Sequence, residues 1–138
     1  MMKEQTIFEI LHNMDKFTNG LIIKWNKIFN EDLGVSHVLA LGYLHVHGKS
    51  RPSHIAKALG LSPPTVTHLT EKLVKRNLAV RLLDESDRRI ILIDITEEGI
   101  DTLQRANEQG QNLRKEMFLK LTPEERDQML HIFQKLNE

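Results

Sequence analysis

Five consecutive residues, Gly60-Leu61-Ser62-Pro63-Pro64, constrain this chain more than any other stretch. A helix that reaches Gly60 stops there, because glycine adopts the left-handed conformation that closes a helix most easily. Leu61 then plugs the turn into a core. Ser62 offers its hydroxyl to the free backbone N–H groups of a new helix. Pro63 stands at the first helical position, where its missing N–H costs nothing, and Pro64 still lies within the tolerant first turn. Ile55, Ala56 and Leu59 precede the break at helical spacing. Val66, Leu69 and Leu73 follow it at i, i+3 and i+7. The spacing predicts two short helices joined by a tight turn.

The second helix has a polar face of Thr65, Thr67, His68, Thr70, Lys72, Lys75 and Arg76. Hydroxyls and an imidazole near its start suit base edges, and cations near its end suit phosphates. Asn77, which tolerates left-handed dihedrals, is expected to end it. Leu78–Leu83 and Ile90–Ile95 are rich in strand formers and flank the polar run DESDRR. They predict a hairpin, or wing, with Arg88 and Arg89 at its return. A narrow minor groove concentrates negative potential and attracts arginine. Asp84 and Asp87 are expected to brace this wing by capping its turn or pairing with an arginine.

The 138 residues carry 19 basic and 19 acidic side chains, so net charge alone argues against nucleic acid. Distribution reverses that reading. Between Lys49 and Arg89 nine Lys and Arg face four Asp and Glu, and the compensating acidic excess lies elsewhere. A neutral chain with one basic segment can sustain a strong local field. The length fits one domain with an adequate core. The absence of cysteine excludes disulfides, thiolate metal sites and thiol redox sensing. No signal peptide or long apolar run is present, which makes a cytoplasmic protein with no membrane partner the expectation.

Outside the 35–95 segment, two amphipathic regions remain, at 1–30 and 97–138. Ile7, Ile10, Leu11, Met14, Phe17, Leu21, Trp25, Ile28 and Phe29 follow a helical period, interrupted by Gly20. Ser36 is expected to cap a helix running to His47 and ended by Gly48, with Arg51-Pro52-Ser53 leading into the next. Thr96-Glu97-Glu98 opens a long helix whose sparse apolar positions, Leu103, Ala106 and Leu113, leave much of its surface wet. Thr122-Pro123-Glu124-Glu125 is a capping box for a final helix, expected to pack through Met129, Ile132, Phe133 and Leu136. This is more apolar helix surface than one small domain needs, and a second copy is the simplest cover for it. The competing arrangement packs the two ends on each other within one chain. A two-fold dimer would set two reading helices ~34 Å apart on a pseudo-palindromic site.

At Leu59-Gly60-Leu61-Ser62, Thr65-Val66-Thr67, Leu73-Val74-Lys75-Arg76 and Asp84 to Arg89, followed by Ile95-Thr96-Glu97-Glu98-Gly99, the chain resembles the MarR family of multiple-antibiotic-resistance-type regulators. The resemblance covers nearly the whole chain in element order. It implies a mainly α fold with a small β-wing: a single 1–138 domain whose winged helix-turn-helix spans 35–95 and whose ends form a homodimer. It implies a transcriptional regulator, usually a repressor, on a palindromic double-stranded operator. Many members are released by a small aromatic or anionic effector. Carried over by position, Ser62, Pro64, Thr65, Thr67 and His68 would meet the major groove. Arg89 would meet the minor groove, with Arg88 near the backbone and Asp87 bracing the wing. Apart from the resemblance, the place of Lys72 on the polar face of the helix makes it the expected salt-sensitive backbone contact. Asn77 stands where the family has glycine. His68 stands where arginine is common, which changes base preference and adds pH dependence.

Other chemistries fare less well. Of the seven histidines, His45 and His47 do not share a helix face, so they make a poor pair for one ion. A metal-responsive regulator using His37, His45 or His131 with a distant carboxylate remains an alternative. No phosphate-binding glycine loop, nucleophile elbow or HExxH motif supports an enzyme, and no residue pattern calls for a cofactor. A winged helix that binds only protein is the more serious rival, but such a module has no reason to cluster Lys72, Lys75, Arg88 and Arg89. Trp25 and Phe29 are the aromatic candidates for an effector pocket. Aromatics at this spacing more often serve the core or a dimer contact.

Overall fold

The computed structural model describes residues 3–138. Its elements are α1 (Lys3–Ile28), α2 (Val35–His47), α3 (Pro52–Leu59), α4 (Pro63–Lys75), β1 (Ala79–Leu83), β2 (Ile91–Ile95), α5 (Glu97–Phe118) and α6 (Pro123–Leu136). The mainly helical class with a small β-wing is therefore the fold this chain adopts. Two compact units are distinguished, 29–107 and the described residues up to Ile28 together with 108–138.

In the 29–107 unit, Leu41, Leu44, Ile55, Val66, Leu73 and Ile93 are fully buried, each from the apolar stripe of its own element. The break between α3 and α4 follows the local chemistry. Gly60 adopts φ +67°, and Ser62 Oγ accepts from the Thr65 backbone N–H at 3.3 Å. Strands β1 and β2 pair antiparallel from Ala79↔Ile95 to Leu83↔Ile91, each starting one residue later than the sequence suggested. Ser50 adds a bridge to Ile93, with bonds of 2.9 and 2.8 Å. Gly99 allows the close approach of α5 to the wing's base: a Cβ there would stand 2.1 Å from the Leu78 carbonyl oxygen. Thr96 ties the same corner, accepting from the Gly99 N–H at 3.0 Å and donating to the Asn77 carbonyl at 2.7 Å. Asn77 itself sits at φ +61°.

Three local expectations need correction. Helix α2 begins at Val35, with Gly34 rather than Ser36 as its cap. The Gly34 N–H donates to the His37 ring at Nδ1 (3.1 Å), so the imidazole at the third helical position reaches back to the cap as Glu or Gln does in a capping box. Gly20 does not interrupt α1, which is continuous from Lys3 to Ile28; one glycine costs a 26-residue helix only about 1 kcal/mol relative to alanine. Thr70 is not on the open face of α4. It is buried, and its hydroxyl donates to the carbonyls of Val66 (2.8 Å) and Thr67 (3.1 Å). A threonine that bonds back to its own helix needs no outside partner.

The other unit holds α1, the later part of α5, and α6. Phe17 and Phe118 meet at a centroid distance of 6.3 Å, tilted by 55°. The Thr122–Glu125 capping box forms, with bonds of 2.8 and 3.2 Å. Arg126 donates to the Leu121 carbonyl at 2.9 Å and closes the turn before α6. No residue of α6 is buried in the single chain, and Ile132, Phe133 and Leu136 stay exposed. Among the described residues, no helix is long and apolar enough to cross a membrane.

Candidate nucleic-acid interface

The open face of α4 carries Pro64, Thr65, Thr67 and His68, all exposed, at the helix start. Ser62 and Thr65 share a 2.7 Å contact between hydroxyls, and Thr67 donates to the Pro63 carbonyl at 3.1 Å. These bonds hold the hydroxyls in place with acceptor capacity left over. The face also lines a cleft of about 1100 Å³, bounded by Asp32, His37, Thr65, His68, Lys72 and Arg76 among others.

The cations at the end of α4 are partly engaged. Lys72 Nζ lies 3.3 Å from the Asp32 carboxylate. Arg76, expected among the phosphate-facing cations, instead donates to the carbonyls of Glu31 and Asp32. Glu31 is held in turn by Arg105 of α5, through bonds of 3.0 and 2.7 Å. The bonds from Arg105 hold the Glu31 carboxyl below its ordinary value. His37 faces the same cleft. Burial, with Lys72 and Arg76 nearby, holds its ring below the ordinary value of 6.5, against the opposing pull of Asp32. This segment between α1 and α2 carries no sequence motif. Only the left-handed Asp32 (φ +56°) at Glu31-Asp32-Leu33-Gly34 hints at its turn.

The wing tip is built on its two aspartates. Asp84 accepts from the Ser86 hydroxyl and from the backbone N–H groups of Ser86 (3.1 Å) and Asp87 (3.0 Å). These bonds lower its carboxyl from the ordinary value. Asp87 takes both Nε and Nη2 of Arg89, at 3.0 and 3.1 Å, and also the Arg89 backbone N–H. The pairing lowers Asp87 and raises Arg89. Arg89 still projects, its side chain 91% exposed. Arg88 is exposed and makes no ion pair among the described residues.

Trp25 and Phe29 are both buried, at 9% and 2% exposure. Trp25 packs beside Gly110, where a Cβ would stand 3.7 Å from the indole. Among the described residues no group of three or more His, Asp or Glu is placed to hold a metal ion.

Residues 31–90 match the model of the MarR family. The chain is 30% identical to the HTH-type transcriptional regulator YpoP of Bacillus subtilis, over 82% of this chain and 80% of that protein. It is 30% identical to the HTH-type transcriptional repressor MdtR of the same organism, over 73% of this chain and 65% of MdtR. Other curated regulators are matched over as little as 49% to 58% of their own length. The fold is similar to the crystal structure of YusO from Bacillus subtilis, with TM-score 0.81, 23% identity, and coverage of 99% of this chain and 98% of YusO.

Proposed function

This chain belongs to the MarR family, and from that premise we propose that it is a DNA-binding transcriptional regulator that acts as a homodimer. It represses by occupying a pseudo-palindromic operator. The observation that carries this is the pairing of two exposed features within one compact unit. One is the open face of α4 from Pro64 to His68, and the other is a hairpin tip that presents Arg88 and Arg89. Hydroxyls and an imidazole suit base edges in the major groove, and the two arginines suit the minor groove. Ser62 joins the major-groove set, and Lys72 adds a backbone contact. Repression is the activity of the relative MdtR and is carried over as part of the reading.

Dimerisation rests on the apolar surface of the second unit. Ile7, Phe8, Ile10, Leu11, Met14 and Phe17 of α1 are each about half exposed or more, as are Leu130, Ile132, Phe133 and Leu136 of α6. A surface this apolar is unfavourable in water and is normally covered. A two-fold pair of chains covers it with a self-complementary patch.

Release by a small aromatic or anionic compound completes the reading. Trp25 and Phe29 are packed, so a compound binding at either must first displace a ring. An anion finds readier chemistry in the cleft of Lys72, Arg76, His37 and His68, where it would compete with DNA.

Selection from random duplexes, followed by affinity against salt, tests the proposal. An inverted repeat bound with a steep salt slope supports it. Absence of any enriched site favours a protein-binding winged helix. Benzoate titrated into the complex tests release.

A further inference from the structure

We propose that Asp32 sets the affinity of the reading head by occupying Lys72 in the free protein, so that a DNA phosphate must take the lysine over. The inference rests on the DNA-binding reading above. Lys72 follows Thr65 and His68 at i+7 and i+4, so the three share one face of α4. It is therefore the cation closest in register to the base-reading residues. Its ammonium lies 3.3 Å from Asp32, whose own side chain is 89% exposed. A pair this exposed is weak enough for phosphate to replace. Its carboxylate still repels any phosphate that approaches the same nitrogen.

The segment that carries Asp32 is anchored: Arg76, one turn beyond Lys72, takes the carbonyls of Glu31 and Asp32, and Arg105 grips the carboxylate of the neighbouring Glu31. The residue itself sits at φ +56°, a conformation that L side chains other than Asn and Asp rarely adopt. The chain thus fastens an acid over the one α4 cation best placed for phosphate.

The test is a double-mutant cycle on the selected duplex. Asn tolerates the left-handed backbone, and the contacts of Arg76 are to backbone atoms, so Asp32→Asn keeps the segment in place. Asp32→Gly serves as a second variant with the same tolerance. Either should tighten binding by up to roughly fivefold at low salt, the range of an exposed ion pair. The salt slope should steepen by up to about 0.9 for the one cation released to phosphate. In a Lys72→Met background the same change should do nothing. An equal gain in that background would mean a general charge effect and would overturn the proposal. So would unchanged affinity and slope in Asp32→Asn and Asp32→Gly while the parent binds normally. A parent chain that binds no duplex at any salt would remove the DNA-binding reading itself, an outcome distinct from either of these.

Discussion

Arg105 grips the carboxylate of Glu31 with two parallel hydrogen bonds, 3.0 Å from Nε and 2.7 Å from Nη2, across 74 residues of sequence. A further bond from the same guanidinium to the Thr102 hydroxyl, at 3.1 Å, fixes the arginine's approach. Geometry of this kind is directional as well as attractive. It fastens the segment that Arg76 holds from the other side.

Replacing Glu31 with Gln should lower stability by about 1 kcal/mol at neutral pH, the upper range for a partly exposed pair. The Glu31 carboxyl titrates below its ordinary 4.5 in the folded chain because Arg105 bonds to its charged form. Its contribution is therefore present above that value and is lost as pH falls through the lowered one. Denaturant unfolding of both proteins should show the gap at neutral pH and its closure in acid. A gap independent of pH would contradict the assignment.

His37 titrates in the opposite sense from an ion-paired histidine. Burial lowers it from 6.5, and its Nδ1 must stay unprotonated to accept from Gly34. Its contribution is present above the ordinary value and is lost as pH falls toward the depressed folded one. Gln at this third helical position can accept the same N–H without titrating. His37→Gln should cost less than about 1 kcal/mol near pH 7.5, the low end of a lost cap. It should also flatten the fall in melting temperature between about pH 7 and 5, the range around an ordinary histidine.

Gly99→Ala should be among the most damaging single-methyl changes in the chain. The new Cβ would stand 2.1 Å from the Leu78 carbonyl oxygen and 2.7 Å from Ile95. The nearest obstacle is backbone, so the wing and α5 must part. A loss of about 3 kcal/mol, the upper range for overpacking, is expected in the denaturant midpoint. Retention of full stability would show that the corner is looser than its contacts imply.

At the wing, Asp87 orients Arg89 through three bonds. Asp87→Ala should weaken operator binding even though it removes a negative charge, because the arginine loses its aim. Arg89→Ala should weaken it at least as much, and the double variant no further than Arg89→Ala alone. Both side chains lie at the surface, so thermal unfolding should hardly move. Tighter binding by Asp87→Ala would show that the aspartate acts through charge alone.

Phe133→Glu places a charge on the exposed apolar face of α6, beside the roughly 760 Å³ groove lined by Ile10, Met14, Phe17 and Phe118. Sedimentation should show the parent as a dimer and the variant as a weakened dimer or monomer. Its affinity for a full palindrome should fall toward that for a half-site.

Much of the fold was legible because its signals are local. Gly60, Ser62 and Pro63 mark a helix break through their own dihedral and hydrogen-bonding limits, and Thr122 with Glu125 marks a helix start in the same way. The strand formers on both sides of DESDRR marked the hairpin to within one residue. The errors are equally instructive. Ser36 looked like a cap because serine is a good one, yet the ring of His37 reached Gly34 first. Thr70 looked exposed because a helical wheel does not show a hydroxyl turned back onto its own helix.

The sequence by itself determined where helices start and stop, which stripes face a core, and that a basic hairpin follows a capped helix. Each of these depends on residues within a turn or two of one another. Only the tertiary structure decided which cations are spoken for. Lys72, Arg76 and Arg105 look alike as basic residues in a row of letters. Folding brings Glu31 and Asp32 to them across 40 to 74 positions, while Arg88 has no ion pair among the described residues and Arg89 is braced at the wing. Ion pairing depends on distance in space, and no local periodicity encodes it.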